Sequence, residues 1–175
     1  MIRDQAGDST AFLIDLGLAQ RFRDPATYLH TSYTTDQPVV GTLLFASIRG
    51  QQGHTQSRRD DLESLAYTIV YSARGSLPWS GLFRRGHQEG VLQKKISITV
   101  EELCEGLPIP FFEFIRHIRS LGFNDKPNYE YLHSVISHCS QMEIDSPDEE
   151  LSSSSASSSV CSEASDSAPI VGNPV

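Results

Sequence analysis

Asp15 has the clearest chemical promise of any residue in this sequence. It closes a short apolar run, residues 11–14 (Ala-Phe-Leu-Ile), and is followed by Leu16 and Gly17. A buried strand that delivers a carboxylate at its end, with a glycine behind it to allow a tight turn, is one way to hold a divalent cation beside phosphates. The same three residues also fit an ordinary strand-to-turn junction, and taken alone they favour it. The remaining reactive side chains are less suggestive. Cys104, Cys139 and Cys161 are far apart, with neither pairing nor metal-ligand spacing, which agrees with a reducing compartment. His117 sits among apolar neighbours and reads as a partly buried structural histidine rather than a ligand.

Such residues need elements to place them, and the strongest helical pattern covers residues 57–82. Leu62, Leu65, Ala66, Ile69, Val70 and Ala73 recur at helical spacing and draw one apolar stripe. Ser57 with Asp60 three residues later reads as a capping signature, and Asp60 and Asp61 lie where the helix dipole favours negative charge. Gly75 supplies the stop and Pro78 keeps the helix from resuming. Thr68 and Tyr71 dilute the opposite face only mildly, so burial on most sides is expected. Downstream, residues 83–93 are basic and Gly-containing, with Arg84, Arg85 and His87 read as a solvated loop. Thr99 and Glu102 form a capping box. Pro110 opens a helix through Phe111, Phe114, Ile115, Ile118 and Leu121. Residues 127–139 make a last amphipathic helix around Leu132, Val135 and Ile136. Upstream, residues 1–10 are polar and without periodicity, residues 21–40 read as a loop punctuated by Pro25 and Pro38, and residues 39–48 by themselves suggest a short strand interrupted by Gly41. The fold class is mainly α.

Four stretches carry a resemblance. SRRDDLESL...Y...GSLPWSGL, within residues 57–82, resembles the central helix of the large lobe in the casein kinase 1 family of serine/threonine protein kinases. IDLGLAQRFRDP (residues 14–25) resembles the family's segment at the same distance before that helix. Gly41-Thr42 and Ala46-Ser47-Ile48 are similar to the family's version of the activation-segment end, where Ser-Ile stands in for Ala-Pro-Glu. FNDKPNYEYL (residues 123–132) resembles a late large-lobe segment. The resemblance implies the C-terminal, large lobe of the protein-kinase fold with the small lobe absent: residues 1–141 as a partial kinase domain. It implies ATP-dependent phosphoryl transfer to protein Ser and Thr. Asp15 would be the magnesium-binding aspartate, with Leu16 in place of Phe, and Gly17 would permit the turn. Thr42 would hydrogen-bond the catalytic aspartate, and Asp61 would buttress the backbone of the catalytic loop.

The same resemblance predicts what this chain does not do. The glycine-rich loop, the strand lysine with its helix glutamate, and the His-Arg-Asp...Asn loop would all lie before Asp15. None matches the fourteen residues there. No complete catalytic or cofactor site is therefore expected, and magnesium and ATP belong to the parent family rather than to this chain. Positioning and charge neutralisation are nearly all of kinase catalysis, so inactivity alone follows. At the positions with which the family reads acidic or phosphorylated substrates stand Gln20, Gln37, Leu44 and Gly90, a neutral set, with Arg21, Arg23 and Arg49 as possible substitutes. A noncatalytic, pseudokinase-like protein-binding module is the competing expectation, and a truncated gene model starting at an internal methionine is a third.

Charge is unevenly spread. Seven of the 22 acids and none of the 14 Lys and Arg lie from Glu143 onward, leaving 15 acids against 14 bases before it. No basic face advertises nucleic-acid binding, and no apolar run is long enough to span a membrane. Residues 142–175 are rich in Ser interleaved with acids and are expected to be a disordered tail whose serines could accept phosphate. A protein substrate or protein partner, in the cytosol or nucleus, completes the expectation.

Overall fold

The computed structural model describes residues 2–5 and 8–142, so the expected Ser-rich tail lies outside the described residues. The first element is an antiparallel hairpin of β1 (Ile2–Gln5) and β2 (Asp8–Ala11), with Ile2 opposite Ala11 and Gln5 opposite Asp8. Residues 1–10 had shown no periodicity, because a backbone ladder between polar residues leaves no apolar alternation to read. A single turn of tight helix, Leu16–Leu18, follows. The remaining regular elements are helices: α1 (Ile48–Gln51), α2 (Arg58–Arg74), α3 (Ser80–Arg84), α4 (Gln88–Ser97), α5 (Val100–Leu103), α6 (Ile109–Ser120) and α7 (Tyr129–Met142). Among the described residues no helix is long and apolar enough to cross a membrane.

Helix α2 is bounded as its sequence dictates. The Asp60 carboxylate accepts a hydrogen bond from the Ser57 N–H at 2.9 Å, and Gly75 closes the helix in the left-handed region at φ +73°. Its burial differs from expectation. Leu62, Ala66 and Val70 are buried, but Leu65 is 47% exposed, and Tyr71 and Ala73 also face solvent. The buried face is rotated toward Arg59, Asp60, Glu63 and Tyr67. Polar residues therefore share the inner face of a helix whose apolar residues alone mark a differently placed stripe.

The core is built on that face. Tyr67 and Trp79, both fully buried, meet edge to face with centroids 4.9 Å apart, a favoured aromatic geometry. Val91, Leu103, Phe114, Ile115, Ile118, Leu132 and Val135 complete the cluster, with α6 packed on both α2 and α7. The Thr99 capping box is present at 3.1 Å in both directions. Arg84, Arg85 and His87 are exposed as expected, with Arg85 and His87 in the short connection from α3 to α4, but helix resumes at Gln88, so residues 88–93 belong to α4 rather than to a loop. Helix α4 turns only Val91 and Lys95 inward, and a buried face that is half lysine has no hydrophobic signature.

Candidate functional site

Residues 19–47 form a long irregular segment in front of the start of α2, held by local chemistry. The Asp24 carboxylate accepts from the N–H groups of Ala26 (2.9 Å) and Thr27 (2.8 Å) and from the Thr27 hydroxyl (3.0 Å), and these bonds to its charged form lower its pKa. Thr31 returns to the Phe22 carbonyl through its N–H (2.9 Å) and to the Arg21 carbonyl through its hydroxyl (3.1 Å). Further on, Thr34 N–H donates to the Thr55 hydroxyl at 2.9 Å and Gln37 N–H donates to the Gly53 carbonyl at 2.8 Å. Gly53 has φ +80°, and a Cβ there would meet the Gln37 carbonyl oxygen at 3.2 Å, so both conformation and close approach require glycine. The segment also carries an aromatic seam in which His30 and Tyr33 each pack edge to face on Phe123, at 4.6 and 5.0 Å.

Between this segment and α2 lies a cavity of about 260 Å³, lined among others by Leu18, Gln20, Arg21, Gln37, Arg58 and Asp61. Asp61 keeps solvent access here, yet the surrounding protein withdraws enough water, and the neighbouring Asp60 charge adds enough repulsion, to raise its carboxyl above the ordinary range. Its neighbour Asp60 is committed elsewhere. Fully buried, it accepts from the Ser47 hydroxyl at 2.8 Å and from the Ser57 N–H at 2.9 Å, with the Arg59 guanidinium 3.5 Å away. Two adjacent aspartates with one sequence signal thus divide into a structural acid and a free one.

Beneath residues 42–51 the polar network continues. Glu63 accepts from the Ile48 N–H (3.1 Å) and from the Tyr67 hydroxyl (2.6 Å), which anchors the start of α1 to α2. Ser47 caps α1 by accepting from the Gly50 N–H at 2.9 Å. Trp79 Nε1–H donates to the Leu44 carbonyl at 2.8 Å. Lys95 Nζ donates to the carbonyls of Leu43 (2.6 Å) and Ala46 (2.7 Å) and to Gln51 Oε1 (3.2 Å). Sequence reasoning missed Lys95; the available signal was a lysine four residues after Val91 on a helix with too few apolar residues to bury.

The expected site residues are only partly brought together. Asp61, Gln20, Gln37 and Arg21 share the cavity, whereas Asp15 and Thr42 are not among its lining residues. Asp15 is exposed. It is not delivered by a buried strand, since β2 ends at Ala11 and Phe12, Leu13 and Ile14 face solvent, Leu13 at 88%. The left-handed residue of the turn is Asp15 itself, at φ 60°, and its carboxylate accepts from the Gly17 N–H at 3.3 Å. Gly17 contributes room rather than an unusual φ, because a Cβ there would lie 3.2 Å from Asp15 Oδ1. Thr42 is exposed, and its carbonyl accepts from the N–H groups of Phe45 and Ala46, so residues 39–48 form a turn leading into α1 rather than a strand.

Two of the four neutral positions do not face a common pocket. Leu44 is a core residue and Gly90 lies within α4, packed against His87. Among the described residues no three His, Cys, Asp or Glu side chains converge as metal ligands. A magnesium ion needs near-octahedral oxygen coordination, so Asp15 by itself does not make a site. Cys104 is a buried free thiol whose pKa burial pushes up to about 11, which removes the thiolate character that reactive cysteines need.

No family model matches the chain. A "Probable casein kinase I homolog" of Encephalitozoon cuniculi is 45% identical over 137 residues, covering 77% of this chain and 45% of the relative. The chain therefore spans less than half the length of the curated relative it matches. Identity at that level over three-quarters of the chain, on a helical body centred on α2, leads to one conclusion: this chain belongs to the casein kinase I family.

Proposed function

We propose that the chain is the large-lobe part of a casein kinase I-type serine/threonine protein kinase and works on the acceptor side of phosphoryl transfer. The observation that carries this reading is the 45% identity over 137 residues to a casein kinase I homolog. The geometry supports it, because a free carboxylate, Asp61, borders a cavity beside a long exposed segment, residues 19–47, that can receive a protein chain. In this reading Asp61 accepts N–H donors from a catalytic loop, Thr42 contacts the catalytic aspartate, and Asp15 gives one carboxylate to magnesium. The described residues do not complete a magnesium site.

The chain alone is inactive in this proposal and binds neither ATP nor magnesium with useful affinity, since it carries no match to the nucleotide-binding motifs. Cytosolic or nuclear residence goes with it. Magnesium-dependent ATP binding by the purified chain, followed by thermal shift and calorimetry with Asp15→Asn beside it, tests the point. Absence of binding is expected. Saturable binding that disappears in Asp15→Asn overturns the inactivity and makes Asp15 a ligand in its own right.

One observation favours a noncatalytic, protein-binding role beside the first: Leu13, Ile14, Leu16 and Leu18 are all more than half exposed in one short stretch, and clustered exposed apolar residues mark contact surfaces. A monodisperse monomer with no tendency to associate counts against that second role.

A further inference from the structure

Lys95 belongs to none of the motifs that indicate the family, yet it is the most heavily committed cation in the described structure. It is fully buried. Its three N–H donors meet three acceptors, the Leu43 and Ala46 carbonyls and Gln51 Oε1. The ammonium lies 5.3 Å from the Tyr67 ring centroid and 5.4 Å from that of Trp79, close enough for both ring faces to stabilise it. The charged group acting on it is Glu63 on α2. Tyr67, also on α2, is the titratable group packed against it, α1 contributes the neutral Gln51, and the turn contributes only carbonyls. Burial wins over the attraction of Glu63 and lowers the ammonium from 10.5 to about 8.

A methionine would fill much of this space without the desolvation penalty, and buried ionic groups are often weaker contributors to stability than apolar replacements. Their best-attested use is to specify one geometry. Here the geometry is that of the turn at residues 42–46. Phe45 and Ala46 N–H both bond to the Thr42 carbonyl, at 2.9 and 3.0 Å. From below, Lys95 takes the carbonyls of Leu43 and Ala46 while Trp79 takes that of Leu44. Three carbonyls of one turn are thereby drawn into the core, and Thr42 stays exposed at its head.

We propose that Lys95 is the positioning residue of the acceptor surface: by gathering the Leu43 and Ala46 carbonyls with Gln51 it holds the 42–46 turn in one conformation, so that Thr42 and residues 38–41 before it form a fixed rest for a Ser- or Thr-containing polypeptide. The inference rests on the acceptor-side reading above, and the experiment separates the two. Dephosphorylated casein serves as the polypeptide probe, its binding to the immobilised chain measured beside amide exchange at Phe45 and Ala46. Lys95→Met is expected to speed exchange at both amides and to weaken casein binding, each by about tenfold or more, as befits the loss of both charge-assisted bonds to the turn. Amides of α6 and α7 keep their protection. Lys95→Gln, a neutral donor, restores part of both effects. Trp79 is the single tryptophan, and its emission reports the ammonium beside it: a transition is expected between about pH 7 and 9 in the unaltered chain and none in Lys95→Met.

Unchanged exchange at Phe45 and Ala46 in Lys95→Met overturns the inference. So does a loosened turn that binds casein as tightly as before. If the unaltered chain does not bind casein, the acceptor-side reading falls and takes the polypeptide rest with it, and the exchange data still show whether Lys95 holds the turn. Should Lys95→Met fail to fold, Gln51→Leu decides by the same readouts, with a smaller loosening of the same two amides expected and no change counting against the proposal.

Discussion

Two regions of this molecule reverse the usual arrangement of side chains, in opposite senses. Under the 42–51 segment, charged and polar groups lie inside: Asp60, Glu63, Tyr67 and Lys95, each bonded to backbone or hydroxyl groups of the segment above or to one another. Along residues 12–18 and on the outer face of α2, large apolar groups lie outside, Leu13 and Leu65 among them. The inner polar set is satisfied because each group replaces water with a specific partner, so burial specifies geometry as well as stability. The outer apolar set has no such pairing and contributes little to the fold. Stability is therefore concentrated on one side of α2, and the other side is free to serve contacts.

Breaking the inner region should have the largest effect. Asp60→Ala removes the acceptor for Ser47 and Ser57 and leaves the Arg59 guanidinium, 7% exposed, without its carboxylate. A loss of about 3–5 kcal/mol is expected in urea unfolding, the scale for stranding a buried charge. A loss below about 1 kcal/mol would show that the network is ornamental.

Tyr67→Phe deletes a 2.6 Å bond to Glu63 but keeps the ring edge to face with Trp79. It should cost about 1–2 kcal/mol, since Glu63 retains the Ile48 N–H. Near-UV circular dichroism should keep its aromatic signature.

Two groups of the inner region, Lys95 and Tyr67, give stability a pH dependence on the alkaline side. Lys95 is lowered from 10.5 to about 8 by burial, so above about pH 8 the unfolded chain binds a proton that the folded chain has released. Lys95 alone therefore makes stability rise with pH from about 8 toward 10.5. Tyr67 is raised well above 10, by burial first and then by Glu63, so above about pH 10 the unfolded chain loses a proton that the folded chain keeps, and stability falls. Cys104, held up near 11 by burial from an ordinary 9, opposes the climb from about pH 9, so denaturation midpoints should climb between about pH 8 and 9, level off and then fall above about pH 10, and Lys95→Met should lack the climb.

The outer region should respond least. Leu65→Ser and Leu13→Ser are each expected to change unfolding free energy by less than about 0.5 kcal/mol, while reducing any self-association seen in sedimentation. A larger destabilisation would place these residues in the core after all.

What the sequence disclosed follows the same division. The capped ends of α2, the Thr99 capping box and the apolar faces of α6 and α7 were legible because local bonds and apolar periodicity write them directly. Helix α4 was not, because half of its inward pair is Lys95. The burial of α2 was misjudged for a related reason: Arg59, Asp60 and Glu63 look like solvent-facing residues until the backbone donors and carbonyls they serve are known. At the site, Asp61 and its acidic neighbour were visible as a pair, but only the structure separates the committed carboxylate from the free one. Asp15 was legible as a turn residue, whereas its exposure depends on what packs against residues 12–14, which no local pattern records.

The bonds between Gln37 and Gly53, and between Thr34 and Thr55, have a consequence in polymer terms. They close one loop, residues 37–53, which holds the 42–46 turn and α1, and leave the earlier part of the irregular segment outside it. Closure entropy grows only with the logarithm of loop length, by about 0.6 kcal/mol per doubling, so a loop of this size costs little more to close than a shorter one. Releasing the pins therefore sacrifices a few exposed hydrogen bonds and the packing of Tyr33 on His54 beside them. Amides at those threonines are therefore expected to exchange on a free-energy scale well below that of global unfolding, ahead of the amides of α2.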